Sequence, residues 1–259
     1  MKNKILLLAA AILFLSLPAA RANNVAVSGV VLENKNLGEG TIDIKFNLSQ
    51  DNTFSGTDGN GQQFYDAIWV FIKYWVEGVN GETTGWSHAT LTSGGSISPV
   101  SGGKGAFAQV GDNQVLRWAY GADGVSGSAT VKVSLCAIEM VYIPAGRFVY
   151  NAESIGGSTF NNYGGGSQVT VLSAGDIPSG AASGWPNGYN AFYIAKYEVS
   201  QGQYADFLNM LSAAQAQARY PNTSASRCSL TFTSGNPYGS RYAASSPSRS
   251  MNQTSWDDV

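Results

Sequence analysis

The sequence AIWVFIKYW occupies residues 67–75 and contains a single charged residue, Lys73. Polar and apolar residues do not alternate along it, as they would in a strand with one face in water. A short, almost continuously apolar run of this length is typical of a strand that is covered on both faces. We therefore predict that residues 67–75 form a central strand of a sheet.

Shorter runs on both sides of this stretch predict six further strands between residues 25 and 137. The clearest lies at residues 41–48, where every second residue is apolar. Seven short strands with Gly-rich connectors and no helical period favour a β-sandwich of immunoglobulin-like shape, which we assign to residues 23–137. The other predicted strands span residues 25–32, 87–91, 106–110, 114–120 and 130–135.

The composition excludes several classes of protein. Only 12% of the 259 residues are charged, about half the roughly 25% of typical soluble domains. The net charge of −2 and the lack of a basic cluster exclude nucleic acid as a partner, because phosphate binding needs clustered Lys and Arg. One His and two Cys exclude a multi-His or Cys-rich metal site, so we expect no cofactor within this chain. Abundant Gly (31 residues) and aromatic side chains (6 Trp, 13 Tyr and 11 Phe) indicate an exported, β-rich protein.

The first 22 residues match a secretory signal peptide. Lys2 and Lys4 precede an apolar run at residues 5–17, and Ala20-Arg21-Ala22 supplies a small-residue cleavage pattern. The run is shorter than the roughly 20 apolar residues needed to cross a bilayer, so we expect no membrane span. The mature protein is expected to begin near Asn23 and to be secreted or periplasmic.

A second unit, assigned to residues 138–259, changes from strand patterns to a helical period after residue 199. Ser200 and Gln203 form a capping box at the start of this helix. The alanines of residues 213–218 can extend it, and Pro221 ends it. The apolar face of the helix consists of Tyr204, Phe207, Leu208 and Leu211.

The last residues read as the beginning of another helix. Ser255 is an N-cap candidate, and Asp257 and Asp258 lie in the first turn, where the helix dipole favours negative charge. A helix that ends at residue 259 is too short to nucleate. Either this terminus is frayed or the chain is a fragment, and we favour a fragment with the second unit incomplete.

Trp185 is the candidate ligand-binding residue. It lies in the loop SGWPNG at residues 183–188, where an indole ring is expected to be exposed and could stack on a sugar. Trp69 and Trp118 lie in predicted strands and are expected to belong to the core. We assign no catalytic, cofactor-binding or metal-binding residue.

The remaining candidates for chemistry have simple structural interpretations. Export places Cys136 and Cys228 in an oxidising compartment, where they form either a disulfide or two separate thiols.

His88 is the only imidazole, and because no nucleophile-elbow pattern accompanies it, we predict a structural role. The stretch 58–61 (DGNG) is similar to part of a calcium loop, but the first and last ligand positions lack side-chain oxygens. It is predicted to be a plain turn.

Three stretches of the second unit carry a family resemblance. They are EMVYIPAGRF at residues 139–148, FYIAKYEVSQGQYADFL at residues 192–208 and TSWDDV at residues 254–259. In order and spacing they resemble the opening strand, the strand with first helix, and the Val-Ser-Trp-x-x-Ala motif of the formylglycine-generating enzyme family, also called the sulfatase-modifying-factor family. Residues 65–74 and 115–124 are similar to an N-terminal β-domain of exported bacterial relatives.

The resemblance implies a C-type-lectin-like fold with little regular structure. Enzymes of the family oxidise a sulfatase cysteine to formylglycine with O₂, using two cysteines that bind copper, and related branches are nonhaem iron sulfoxide synthases. The family's reactive residues lie in the C-terminal half of the module, and Cys136 and Cys228 do not match its cysteine pair. Copper or nonhaem iron is therefore expected only in a full-length parent, and the present chain is expected to be inactive.

Two kinds of function follow from these observations. The first is an exported oxidoreductase whose complete module modifies a cysteine of a protein substrate. The alternative is a non-catalytic module that binds a surface glycan or a protein, or that has a structural role at the cell surface, since the lectin-like fold supports binding without chemistry.

Overall fold

The computed structural model describes residues 25–57, 61, 63–151, 154–155, 158–159, 168–177, 183, 187–221, 223–224 and 227–254. The protein is mainly β, with 41% strand, 9% helix and curled antiparallel sheets, which confirms the mainly β prediction. The predicted signal peptide, residues 1–22, lies outside the described residues. Within the described part of the chain, no helix is long and apolar enough to cross a membrane.

Seventeen strands and two helices follow one another along the described residues. In chain order they are β1 (Ala26–Asn36), β2 (Thr41–Ser49), β3 (Ser55–Thr57), β4 (Gln63–Tyr65), β5 (Ala67–Val76), β6 (Ser87–His88), β7 (Leu91–Thr92), β8 (Ala106–Ala108), β9 (Gly111–Trp118), β10 (Val131–Ile143), β11 (Phe148–Asn151), β12 (Ser154–Ile155), β13 (Ser158–Thr159), β14 (Gln168–Val171), β15 (Phe192–Ala195), α1 (Gln201–Met210), α2 (Ala213–Arg219), β16 (Leu230–Phe232) and β17 (Tyr242–Ala244).

Two larger sheets enclose the main hydrophobic core. One has four strands in the order β1-β2-β9-β7, and the other has five, in the order β15-β10-β5-β6 with β8 also paired to β5. Side chains from β2 and β9 of the first sheet meet those of β5 in the second within one buried cluster. The burial of this apolar surface is the main force that holds the two sheets together.

Strand β5 is the central strand that the sequence predicts. It pairs with β10 on one side and with β6 and β8 on the other. Its even-numbered side chains enter the core, where none is more than 8% exposed. On the opposite face, the Trp69 ring lies 5.0 Å from that of Phe107, and the Trp75 ring lies 5.9 Å from that of Trp86. Both faces are therefore covered, as predicted.

Strand β10 connects the two predicted units. Its residues 131–140 pair with β5, and its residues 140–143 pair with β15. The boundary expected between residues 137 and 138 therefore falls inside one continuous strand. The same strand therefore pairs with a strand of the first predicted unit and with a strand of the second.

Residues 87–91 do not form the single strand that their pattern predicts. They form β6, which joins the five-stranded sheet, and β7, which joins the four-stranded sheet. Between the two, the Ala89 N–H donates to the Ile72 carbonyl oxygen at 2.9 Å. The Thr90 N–H donates to Asp123 Oδ2 at 2.8 Å. Because a side-chain acceptor replaces a strand partner at Thr90, the ladder is interrupted and the chain crosses from one sheet to the other.

The helical prediction holds for α1 but not for its extension. Ser200 caps α1, and both bonds of the capping box with Gln203 are formed. The helix then stops at Leu211, which is extended, and α2 begins with its own capping box between Ser212 and Gln215. Ser212 favours this break because its side chain accepts a hydrogen bond from the Gln215 N–H in the first turn of a new helix.

The turn after β5 docks onto this break between the helices. The Trp86 N–H donates to the Met210 carbonyl oxygen at 2.9 Å, and the Ala213 N–H donates to the Glu82 carbonyl oxygen at 2.7 Å. The Arg241 guanidinium also binds both carboxylate oxygens of Glu82, at 3.0 and 2.7 Å. Backbone hydrogen bonds and a bidentate ion pair thus join the two units in addition to β10.

Candidate functional site

The outer face of the five-stranded sheet brings a thiol, an amine and an imidazole close together. Lys73 on β5 lies opposite Ser134 on β10 and opposite His88 on β6, and Cys136 lies opposite Phe71. Directly opposed residues of antiparallel strands point to the same side, so Lys73, His88 and Cys136 share one face. The Lys73 charge acts on both Cys136 and His88, so the three side chains form one electrostatic group.

Burial shifts each of these groups toward its neutral form. It raises the pKa of the Cys136 thiol more than the Ser134 hydrogen bond and the Lys73 charge lower it. It lowers the pKa of the Lys73 ammonium, and burial followed by the Lys73 charge lowers the pKa of His88. A protonated thiol is a poor nucleophile, since the thiolate is the reactive form. The cluster therefore has the character of a half-buried structural group rather than an activated nucleophile.

The geometry of His88 agrees with this description. Its Nδ1 lies 3.2 Å from the carbonyl oxygen of Ala89, so Nδ1–H donates to the backbone. Its ring packs against Phe71, with centroids 5.6 Å apart. The imidazole is thus held by its own strand and by a neighbouring apolar ring.

The two cysteines are separate thiols in the structure. Cys136 lies on β10, whereas Cys228 packs against the second hydrophobic cluster, beside α1 and α2. Of the two arrangements that the sequence left open, the structure contains the unpaired one.

Several predicted site residues fall outside the described part of the chain. Trp185 is one, and the DGN segment of the predicted turn at residues 58–60 is another. Trp118, predicted to be in the core, is 1% exposed, which confirms its assignment. Trp69, which was predicted with it, is only half-buried and lies on the face of β5 opposite the core. Within the described residues no group of three or more His, Cys, Asp or Glu side chains could hold a metal ion.

Gln201 is an organising residue that sequence reasoning missed. It is fully buried at the first position of α1. Its Nε2 donates to the carbonyl oxygens of Arg227 and Ser250, at 2.7 and 3.1 Å. Its Oε1 accepts from the N–H and hydroxyl of Ser229, at 2.8 and 2.6 Å. One amide therefore fixes two loops against the helix. The only sequence feature that pointed to this role was the position of a polar residue next to the apolar face of α1.

The stretches that carry the family resemblance adjoin one another. The first and second pair as β10 and β15, from Met140 opposite Ala195 to Ile143 opposite Phe192. The second is also tied to the segment that precedes the third, because Gln201 N–H donates to the Arg249 carbonyl oxygen and Met251 N–H donates to that of Val199, both at 2.8 Å. Most of the third stretch lies outside the described residues.

A second group of ionisable residues surrounds the start of the first stretch. Glu139 is 8% exposed, and neither of its carboxylate oxygens makes a well-formed hydrogen bond, although the Val25 N–H lies nearby. Nearby, the Lys196 ammonium lies 3.7 Å from Asp66 Oδ2. Burial raises the pKa of Glu139, while the Lys196 charge opposes this rise. Such a carboxyl retains its proton to higher pH than an exposed one.

The described part of the chain thus contains a half-buried cluster of one thiol, one amine and one imidazole, a loop anchor formed by Gln201, and the buried Glu139 carboxyl. None of these arrangements forms a catalytic dyad of nucleophile and activated base. Comparison of this chain with protein-family models, with curated proteins and with solved structures finds no match.

Proposed function

We propose that the protein is exported and that residues 138–259 are part of a sulfatase-modifying-factor-type module with a C-type-lectin-like fold. Residues 23–137 form an immunoglobulin-like β-sandwich that precedes it. The complete module acts as an oxidoreductase on a cysteine of a protein substrate, with copper or nonhaem iron bound outside the present chain. No residue of this chain is assigned to catalysis.

The observation that carries this proposal is the contact between the resembling stretches. Strand β10 pairs with β15, and the chain entering α1 is bonded to residues 247–251. Stretches separated by about 50 residues in the sequence thus form one local structure, as expected if they are the opening part of one module. Gln201, within the second stretch, supplies the side-chain bonds that hold this structure together.

The raised pKa of the Cys136 thiol supports the proposal that the catalytic residues lie outside this chain. Burial raises the pKa of its thiol, whereas a copper-binding or nucleophilic cysteine must be deprotonated. Cys228 belongs to a different cluster, so the two thiols do not form a pair of copper ligands.

The coding sequence that follows codon 259 at the source locus tests the proposal. We expect an open frame with two neighbouring cysteines for the copper branch, or a His-rich set for the iron branch. A purified full-length parent should then form an aldehyde from a cysteine peptide in the presence of O₂, as detected by mass spectrometry. A continuation without either set, or a stop codon directly after Val259, would remove the oxidoreductase proposal.

A non-catalytic binding function is the second candidate. Strand β15 lies at the edge of its sheet, and Phe192 and Ile194 on it are 42% and 50% exposed. Exposed apolar side chains on an edge strand favour contact with another protein surface. In this case Trp185 provides the glycan or peptide contact, and Trp185→Ala should weaken binding. Unchanged binding would remove Trp185 from the hypothesis.

A further inference from the structure

An open groove lies in the first unit, beside the turn that connects β8 and β9. Its volume is about 510 Å³, within the roughly 300–1,000 Å³ range of small-molecule sites. Its lining combines an aromatic side, which we define as Tyr65 and Phe107, with a polar side, which we define as the polar residues of segments 96–98 and 109–114. The groove includes neither cysteine nor Trp185, and apart from Tyr65 its lining lies outside the stretches that carry the family resemblance, so ligand binding there can be tested separately from both functions.

The aromatic side of the groove is held in place by a ring from the second unit. The Tyr193 ring lies 4.8 Å from that of Phe107 and 6.2 Å from that of Tyr65. Its hydroxyl also donates to the Tyr65 carbonyl oxygen at 3.3 Å. On its other edge, Phe107 packs against Trp69. Because packing already fixes these rings, a ligand that contacts them loses little affinity to side-chain ordering.

A β-bulge shapes the polar side. Strand β9 has one more residue than β2 between their paired positions at 111 and 114. The bulge contains Asp112 and Asn113, both exposed, and Asn113 has a φ of 54°. Its N–H donates to Asn47 Oδ1 at 2.8 Å, which holds the bulge against β2. Bulges of this kind redirect side chains away from the ladder, here toward the groove.

The polar side retains unused hydrogen-bonding capacity. The side chains of Ser98, Gln109 and Asp112 are exposed and have no hydrogen-bond partner among the described residues. Together they offer a hydroxyl, an amide and a carboxylate. A ligand with several hydroxyl groups could both donate to and accept from this set.

The negative charge of the groove disfavours anionic ligands. Of the described residues that line it, only Asp112 is charged, and none is cationic. A phosphate, sulfate or carboxylate ligand would meet a negative charge without a counter-ion. Sugar rings instead combine an apolar C–H face, which packs on aromatic rings, with hydroxyl groups for the polar rim. We propose that this groove binds a neutral oligosaccharide.

Isothermal titration of the full chain with neutral gluco-, xylo-, manno- and N-acetylglucosamine hexasaccharides tests the proposal. We expect at least one of them to bind. The double variant Gln109→Ala/Asp112→Ala should weaken that binding at least tenfold, because it removes two hydrogen-bonding side chains without touching the core. Phe107→Ala should weaken it further. Phe54→Ala is the matched aromatic control, since Phe54 is 61% exposed and does not line the groove.

Three outcomes would overturn the proposal. The first is that no neutral oligosaccharide binds at millimolar concentration, and the second is that the double variant binds as tightly as the wild type. The third is a preference for sulfated or carboxylated sugars. If Phe107→Ala strongly lowers the melting temperature, its effect on binding is not used. The test then rests on the Gln109→Ala/Asp112→Ala variant, whose residues are exposed. None of these readouts involves cysteine oxidation or Trp185, so they do not depend on the function proposed above.

Discussion

At the scale of single residues, Glu139 carries a carboxyl that folding buries beside the Val25 N–H without a well-formed hydrogen bond. Burial raises its pKa, Asp66 and Asp51 add to this, and the nearby Lys196 charge and Val25 N–H oppose it. The folded protein therefore holds this proton more tightly than the unfolded chain does. The resulting stability is complete below the unfolded pKa and is lost as the pH rises through the folded pKa.

We predict that Glu139→Gln removes this pH dependence. Relative to the wild type, the melting temperature of the variant should rise as the pH increases above 4.5, the ordinary pKa of a Glu side chain, because the amide cannot ionise in the buried site. Thermal melts at several pH values measure the difference. Glu77→Gln, at a half-exposed side chain, should follow the wild-type profile. A parallel shift of the Glu139→Gln curve at all pH values would contradict the prediction.

Gln201 makes a different kind of contribution, because all four of its hydrogen bonds are formed in a fully buried site. Gln201→Ala leaves the carbonyl groups of Arg227 and Ser250 and the N–H of Ser229 without these partners, while Ser229 Oγ still accepts from the Ser246 N–H. Since each buried unsatisfied group costs about 1–3 kcal/mol, we expect a loss of about 3–5 kcal/mol of unfolding free energy. Urea unfolding measures it.

Gln203→Ala serves as the control for this substitution. It changes the same residue type two positions later, in the exposed capping box. The loss there should be about 1 kcal/mol. Equal losses for both variants would show that Gln201 acts only through helix formation.

At the scale of elements, the break between α1 and α2 depends on a glycine from another part of the chain. Gly85 has a φ of +72°, and a Cβ there would lie 2.6 Å from the Ser212 nitrogen and 2.8 Å from the Leu211 carbonyl carbon. Only a residue without a side chain permits this approach of the turn to the helix break. Gly85→Ala is therefore expected to destabilise the protein by about 2–4 kcal/mol, from a left-handed conformation and from overpacking.

Alanine substitutions at two neighbouring glycines distinguish the cost of the left-handed conformation from the cost of the steric overlap. Gly78 has a φ of +75° but open space around its Cα, and Gly81 has open space without a positive φ. Gly78→Ala should cost about 1 kcal/mol, and Gly81→Ala should change stability by less than about 0.5 kcal/mol. Thermal or urea unfolding of the three variants gives the order, and a cost at Gly85 no larger than at Gly78 would rule out the close contact.

At the scale of the whole molecule, the two units are expected to fold together. Residues 139–259 alone would lack the first part of β10, its partner β5 and the docking turn that bonds to Met210 and Ala213. We predict that this segment shows no sharp thermal transition, while residues 23–259 unfold cooperatively. Calorimetry of the two proteins distinguishes the cases, and a sharp, cooperative melt of the short segment would contradict the prediction.

Local patterns were sufficient for the elements whose stability is local. The apolar run at residues 67–75 predicted β5 with both faces covered, and Ser200 with Gln203 predicted the start of α1. The residues of the candidate site were harder to predict from the sequence. Gln201 and Glu139 gain their roles from distant partners, such as Ser229 and Lys196, that no sequence pattern connects to them.

The sequence by itself determined the mainly β composition, the central strand and the capped first helix, because periodicity and capping act over a few neighbouring residues. The tertiary structure alone decided where residues 87–91 change sheets and where the long helix divides. It also decided that β10 runs through the expected boundary at residue 137. In each case a partner far along the chain supplies the hydrogen bonds, such as Asp123 for Thr90 or Glu82 for Ala213. Such pairings depend on the folded arrangement of both segments, which local sequence does not encode.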